Sequence, residues 1–170
     1  MRSTVVLSLG SNLGDRLSHL RLAVAWLADI ADVLGSSPVY ETEPWGGVEQ
    51  PDFLNAVLVV RSTSLDEWGW LRLGQELETR AGRVREVRWG PRTLDVDVVA
   101  AFGPDGAAIV SEHPELRLPH PGAAIRNTVL RPWLDIDPDA ELPGYGRVEA
   151  LLAAVGESGM RRRDELGLLT

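Results

Sequence analysis

The chain contains no cysteine, which excludes a disulfide framework, a thiolate metal site and a cysteine nucleophile. It also contains no lysine, since all 17 of its basic residues are arginine. A Walker-type phosphate loop, a kinase-type lysine and Schiff-base chemistry are thereby excluded. Anions must be held by guanidinium groups, backbone amides or metal ions. No apolar run approaches the roughly 20 residues that span a bilayer, and the opening MRSTVVLSLGSN is too short an apolar stretch for a secretory signal. These absences predict a cytoplasmic protein without a membrane partner. The net charge of −8 argues against general binding to nucleic acid, which needs a basic surface.

What is present suits one folded domain: 170 residues, 44% hydrophobic and 25% charged, with no repeat or low-complexity tract. Thr4 to Leu9 is a β-branched and aliphatic run closed by Gly10, Ser11, Asn12 and Gly14, which predicts a buried strand and a turn. Asp15 then caps a helix to about Ile30, on which Leu17, Leu20, Ala23, Val24 and Leu27 recur at helical spacing. Val33 to Thr42 reads as extended, EPWGGVEQPD as a loop, and Phe53 to Arg61 as a strand rich in β-formers. Ser64 and Glu67 have capping-box spacing ahead of a helix that stops at Gly82. Leu94 to Phe102 is the next strand. The order strand, helix, strand, strand, helix, strand predicts an α+β, ferredoxin-like βαββαβ core, an antiparallel sheet with helices on one face. HPELRLPHPG reads as loop, Asn127 to Leu134 and Val148 to Ala154 as extra short helices, and GESGMRRRDELGLLT as a fraying tail.

Asp95 and Asp97 are two apart on a strand, so both carboxylates leave one face while Leu94, Val96 and Val98 point to the other. Alone, such a pair also fits a solvated strand face. The segment just before it changes the balance, because Arg80, Arg83, Arg85, Arg88 and Arg92 crowd together in a chain that is acidic overall. Forked guanidinium groups beside two hard oxygen ligands are what a polyphosphate with Mg²⁺ requires. Arg80 answers the helix C-terminus, whereas Arg83, Arg88 and Arg92 are assigned to phosphate.

Trp26, Trp68, Trp70 and Trp133 fall on helices and read as core or surface cover. Trp45 and Trp89 lie in the two glycine-rich loops, which fits lids over a bound substrate. Thr42, Phe53 and Asn55 bracket the first of those loops. An amide beside an aromatic ring can read the edge of a flat heterocycle, although Asn55 also fits a structural hydrogen bonder. His120 in its loop reads as solvated. GSNLGD lacks the lysine of a phosphate loop and reads as a turn plus helix cap.

Taken together, LSLGSNLGDR, YETEPWGGVEQPDFLNAV, GRVREVRWGPRTLDVDVVAAFG and LRLPHP with Arg126 resemble the 6-hydroxymethyl-7,8-dihydropterin pyrophosphokinase family over about residues 4 to 143. The resemblance implies a ferredoxin-like fold and the transfer of pyrophosphate from ATP to the hydroxymethyl group of the pterin, releasing AMP, in folate biosynthesis. It implies Mg²⁺ (two ions) with ATP as co-substrate, a reduced pterin as the other small-molecule partner, and a monomer. It places the catalytic domain at residues 1–155, with a tail at 156–170.

By the same resemblance Asp95 and Asp97 are the metal ligands and Arg83 and Arg92 the catalytic arginines, with Asp97 taken as the proton acceptor. Gln75, Glu78, Arg85, Arg88, Trp89, Arg92, Val98, His120 and Arg126 are expected around ATP. Thr42, Trp45, Phe53, Asn55, Trp89 and Asp95 are expected around the pterin. The chain departs from the family pattern at Thr128, where a Phe normally closes one wall of the pterin pocket, and in a short loop between Arg85 and Arg88. Two alternatives follow: a family member that binds ATP with an altered pterin step, and a non-catalytic ferredoxin-like nucleotide-binding module.

Overall fold

The computed structural model describes residues 2–44, 47, 49–82 and 93–168. Strand β1 (Ser3–Ser11) leads through the turn at Gly14 into α1 (Arg16–Ile30), whose N-cap Asp15 accepts from the Ser18 amide as its position predicts. Then come β2 (Asp32–Ser36), β3 (Val39–Thr42), β4 (Phe53–Ser62), α2 (Glu67–Arg80) and β5 (Asp95–Phe102). This is the expected βαββαβ order, with the extended stretch before Thr42 broken in two at Ser37 and Pro38. Beyond it lie β6 (Ala108–Ile109), β7 (Ser111–His113), β8 (Leu116–Leu118), a short 3₁₀ turn, α3 (Asn127–Ile136), β9 (Glu141–Leu142), β10 (Gly146–Arg147), α4 (Val148–Val155) and β11 (Met160–Arg163).

The main sheet is antiparallel in the order β11-β3-β4-β1-β5-β6, with β2 also paired to β4. Alternation along the central strands separates two cores. Val5, Leu7, Leu9, Leu58 and Val96 pack under α1 and α2 with Leu27 and Trp70. Val6, Val57, Val99 and Ala100 face the other way, onto Leu130, Trp133 and Leu152 of α3 and α4. The extra C-terminal helices therefore roof part of the second sheet face. Because β1 is buried on both sides, its middle, Val5 to Leu9, is apolar at every position but Ser8.

Three local expectations change. The N-cap of α2 is Asp66, whose carboxylate accepts from the Gly69 amide at 2.8 Å; Ser64 lies two residues too early, where Ser62 Oγ accepts its amide. The HPELRLPHPG stretch carries the β7–β8 hairpin, with Ser111 opposite Leu118. The tail expected to fray instead carries β11 (Met160–Arg163), an edge strand on β3 with Met160 opposite Thr42 and Arg163 opposite Val39.

Candidate active site

Directly opposed residues of antiparallel strands share a sheet face, and this alone assembles most of the site. Gly10 of β1 lies opposite Asn55 of β4 on one side and Asp95 of β5 on the other. Ser8 lies opposite Asp97, and Thr42 of β3 opposite Phe53. Asp95, Asp97, Asn55, Phe53 and Thr42 thus emerge on the face that α3 and α4 roof only at its far end. Val96 and Val98 point into the core beneath α1 and α2, as the two-residue period predicts.

The acid-bearing strand is held from behind. Glu78 of α2, only 4% exposed, accepts the Val96 amide at 2.9 Å, the N–H between the two aspartates. Close approach of α2 to β5 depends on Gly74, where a Cβ would come 3.1 Å from Val96 Cγ1. Further along β5 the register with β1 slips by one residue, because Leu7 faces Val98 while Val6 faces Ala100. Val99 is the extra residue of this bulge, and its carbonyl is re-aimed to accept the His120 amide at 2.8 Å. His120 is thereby brought to the edge of the acid strand.

His120 Nδ1 accepts from the Gly122 amide at 3.1 Å, which leaves Nε2 as the protonated, donating nitrogen of a neutral ring. Burial holds the imidazole below its ordinary pKa; Arg126 pushes the same way and Asp95 pulls against both. The Arg126 guanidinium packs over Gly122, at whose position a Cβ would lie 2.8 Å from Cζ. Asp97, His120 and Arg117 line a 320 Å³ cleft between the β5 edge, α2 and the β7–β8 hairpin. Arg117 was not singled out in the sequence; nothing in LRLPHP marks it until the hairpin places it at the cleft.

The set expected around a heterocycle is compact. Asn55 Nδ2 donates to Thr42 Oγ1, and Phe53 is half-buried beside them. The loop before Phe53 is tied to the β1–α1 turn: Asn12 donates to Gln50 Oε1 and to the Pro51 carbonyl, each at 2.8 Å, and Arg16 donates to the Asp52 carbonyl at 3.0 Å. Gly10 belongs to this site, although its sequence context suggested only the end of a strand. A Cβ there would lie 2.9 Å from Asn55 Oδ1 and 3.5 Å from Phe53 Cδ1.

The remaining expected site residues lie on α2, on β5 or outside the described residues. Gln75 is exposed on α2. Glu78 is buried and supports β5, and Val98 is buried in the core yet is one of the residues that line the cleft. Arg80 stacks on Trp26 at 4.3 Å and pairs with Glu76 at 3.1 Å, in line with a structural role. Trp45, Arg83, Arg85, Arg88, Trp89 and Arg92 lie outside the described residues. Among the described residues no helix is long and apolar enough to cross a membrane.

Comparison with known proteins gives this geometry a context. The model of the family described as 7,8-dihydro-6-hydroxymethylpterin-pyrophosphokinase matches residues 6–138. The chain is 47% identical over 169 residues to the 2-amino-4-hydroxy-6-hydroxymethyldihydropteridine pyrophosphokinase of Mycobacterium leprae, covering 96% of this chain and 87% of the relative. It is 39% identical over 163 residues to the protein of the same name from Bacillus subtilis, covering 95% and 90%. Among solved structures, HPPK-DHPS in complex with substrates superposes with a TM-score of 0.68 at 12% identity, over 95% of this chain and 48% of that one. Wild-type Plasmodium falciparum HPPK-DHPS gives a TM-score of 0.66 at 13% identity, over 95% and 48%. The chain therefore spans about half the length of those chains, and the likeness to them speaks for the fold.

Proposed function

The chain belongs to the 7,8-dihydro-6-hydroxymethylpterin-pyrophosphokinase family and is an ATP-dependent pyrophosphokinase of folate biosynthesis; from that premise we propose how its residues divide the work. The observation that carries the proposal is the row Asn55, Gly10, Asp95 across three adjacent strands. It separates a polar reader from a carboxylate by two strand spacings, about 10 Å. A flat bicyclic pterin laid over Gly10 spans that gap, with its amide edge at Asn55 and Thr42 and its hydroxymethyl arm toward the acids. Phe53 stacks on one face of the ring.

The donor set fits a hard divalent cation. Asp95 and Asp97 offer only oxygen, from one face of one strand, and both are half-exposed. The described residues thus offer two carboxylate ligands, and phosphate and water complete the shell, as is usual for Mg²⁺. Bound there, Mg²⁺ supplies charge neutralisation to the phosphoryl oxygens.

The cleft beside β5 takes the nucleotide. His120 presents a neutral Nε2–H donor and Arg126 a cation, and the arginines Arg83, Arg85, Arg88 and Arg92 are assigned to the polyphosphate by their placement in the sequence. The pterin hydroxymethyl oxygen bonds to the β-phosphorus of ATP, the bond from that phosphorus to the α–β bridging oxygen breaks, and AMP leaves with the oxygen. Asp97 accepts the hydroxyl proton. Each part positions reactants and stabilises charge, which is the main task in phosphoryl transfer.

The test is to incubate the protein with Mg-ATP, with and without 6-hydroxymethyl-7,8-dihydropterin, and to resolve the nucleotides. AMP that forms only when the pterin is present supports the reading. ADP, or no nucleotide product, sinks it in favour of an altered pterin step or a non-catalytic binder.

A further inference from the structure

β11 carries consecutive side chains to opposite faces of the sheet, and two independent observations fix which goes where. Arg161 pairs with Glu41, and Arg163 reaches the same carboxylate at 2.8 Å. Glu41 lies on the α1 side, where Arg16 also holds it at 2.7 Å. Met160 and Arg162 must then leave the other face. The register agrees, since Met160 lies opposite Thr42 and Arg162 opposite Tyr40, and Tyr40 donates its hydroxyl to Asp135 of α3 on that face. Met160 is thus the outward neighbour, on the same face, of the Thr42–Asn55 pair.

The segment leading to Met160 is fastened on the site side as well. Asn127, which follows Arg126, is buried, and its Nδ2 donates to the Gly156 and Ser158 carbonyls, each at 3.1 Å. The Glu43 amide donates to the Gly159 carbonyl at 3.0 Å. Gly159 has a φ of +76°, and a Cβ there would press on Glu43 Oε2 at 3.0 Å, so the turn that delivers Met160 calls for glycine. One short segment therefore clamps the start of α3 to the end of β3.

We propose that Met160 forms the outer wall of the pterin pocket and that Asn127 and Glu41 are the positioning residues that hold it there; this rests on the functional reading above. Thr128, next to Asn127, has no ring to lay on a heterocycle. Met160 supplies an unbranched, polarisable thioether that adapts to a flat aromatic surface. The C-terminal strand is then part of substrate recognition.

The experiment compares wild type with Met160→Ala, Met160→Leu and, as a control on the same strand and face, Arg162→Ala. It measures pterin KM, ATP KM, kcat and the thermal midpoint. Met160→Ala is expected to raise pterin KM by about tenfold with ATP KM and kcat within about twofold of wild type, while Met160→Leu stays close to wild type. Arg162→Ala leaves all three constants in place. A merely structural role would lower the thermal midpoint without this split. The inference is overturned if pterin KM in Met160→Ala stays within about twofold of wild type, or if Arg162→Ala raises it equally. A wild-type protein that makes no pterin-dependent AMP overturns the functional reading itself, and this inference with it.

Discussion

Glu78 Oε2 accepts the Val96 amide at 2.9 Å, so a buried carboxylate on α2 grips the backbone of β5 midway between Asp95 and Asp97. That contact sets where the two partly buried acids stand. Removing the acceptor leaves a buried N–H unpaired at a cost of about 1–3 kcal/mol. Glu78→Ala is therefore expected to lower the urea midpoint and to cut kcat through misplacement of the acids. Glu78→Gln keeps a carbonyl acceptor and should lie between the two. Unfolding curves alongside steady-state rates check this, and wild-type stability in Glu78→Ala would contradict it.

Gly10 makes a second prediction, one that falls on the pterin alone. An alanine Cβ would stand 2.9 Å from Asn55 Oδ1, and the amide must move, loosening its bond to Thr42. Gly10→Ala should raise pterin KM by about tenfold or more while ATP KM changes little, because the loss falls on polar groups that read the substrate. Equal effects on both KM values would show that Asn55 does not face the pterin.

The His120 imidazole is held below its ordinary pKa of 6.5 chiefly by burial, with Arg126 adding to the effect. In the unfolded chain this group takes up its proton near pH 6.5, whereas in the folded chain it resists until a lower pH. Between those two values the unfolded state binds more protons, so the contribution to stability is full above pH 6.5 and is lost as pH falls toward the folded pKa. His120→Asn keeps an acceptor for the Gly122 amide but does not titrate. Unfolding free energy measured from about pH 7.5 to pH 5.5 should fall less steeply in this variant than in wild type. Identical slopes would mean that His120 titrates normally in the fold.

How much of this was legible in the sequence follows from which interactions are local. β1 could be read because burial on both faces leaves a mostly apolar stretch from Val5 to Leu9, and the shared face of Asp95 and Asp97 follows from the strand period alone. The ferredoxin-like order was likewise carried by patterns within each element. β11 was hidden because its residues, MRRR, look like a charged tail. What makes it a strand is Glu41, about 120 residues earlier, which neutralises two of its arginines. Pro114 and Pro119 disguised the β7–β8 hairpin as loop. Gly10 looked like a turn residue until register set it between Asn55 and Asp95. That Glu78 accepts a β5 amide could not be read from α2 alone, because the Val96 N–H lies 18 residues further along the chain. Each of these depends on pairing across the sheet or between layers, which no local pattern encodes.

The central claim, that Asp95 and Asp97 form the cation and phosphate site beside the pterin reader, is tested most directly by the rate of pterin-dependent AMP formation in Asp97→Asn at saturating Mg-ATP and pterin. Because Asp97 is half-exposed on its strand, the variant should fold as wild type does. Loss of a metal ligand and proton acceptor should lower the rate by about 10³-fold or more. A rate within about tenfold of wild type would contradict the account.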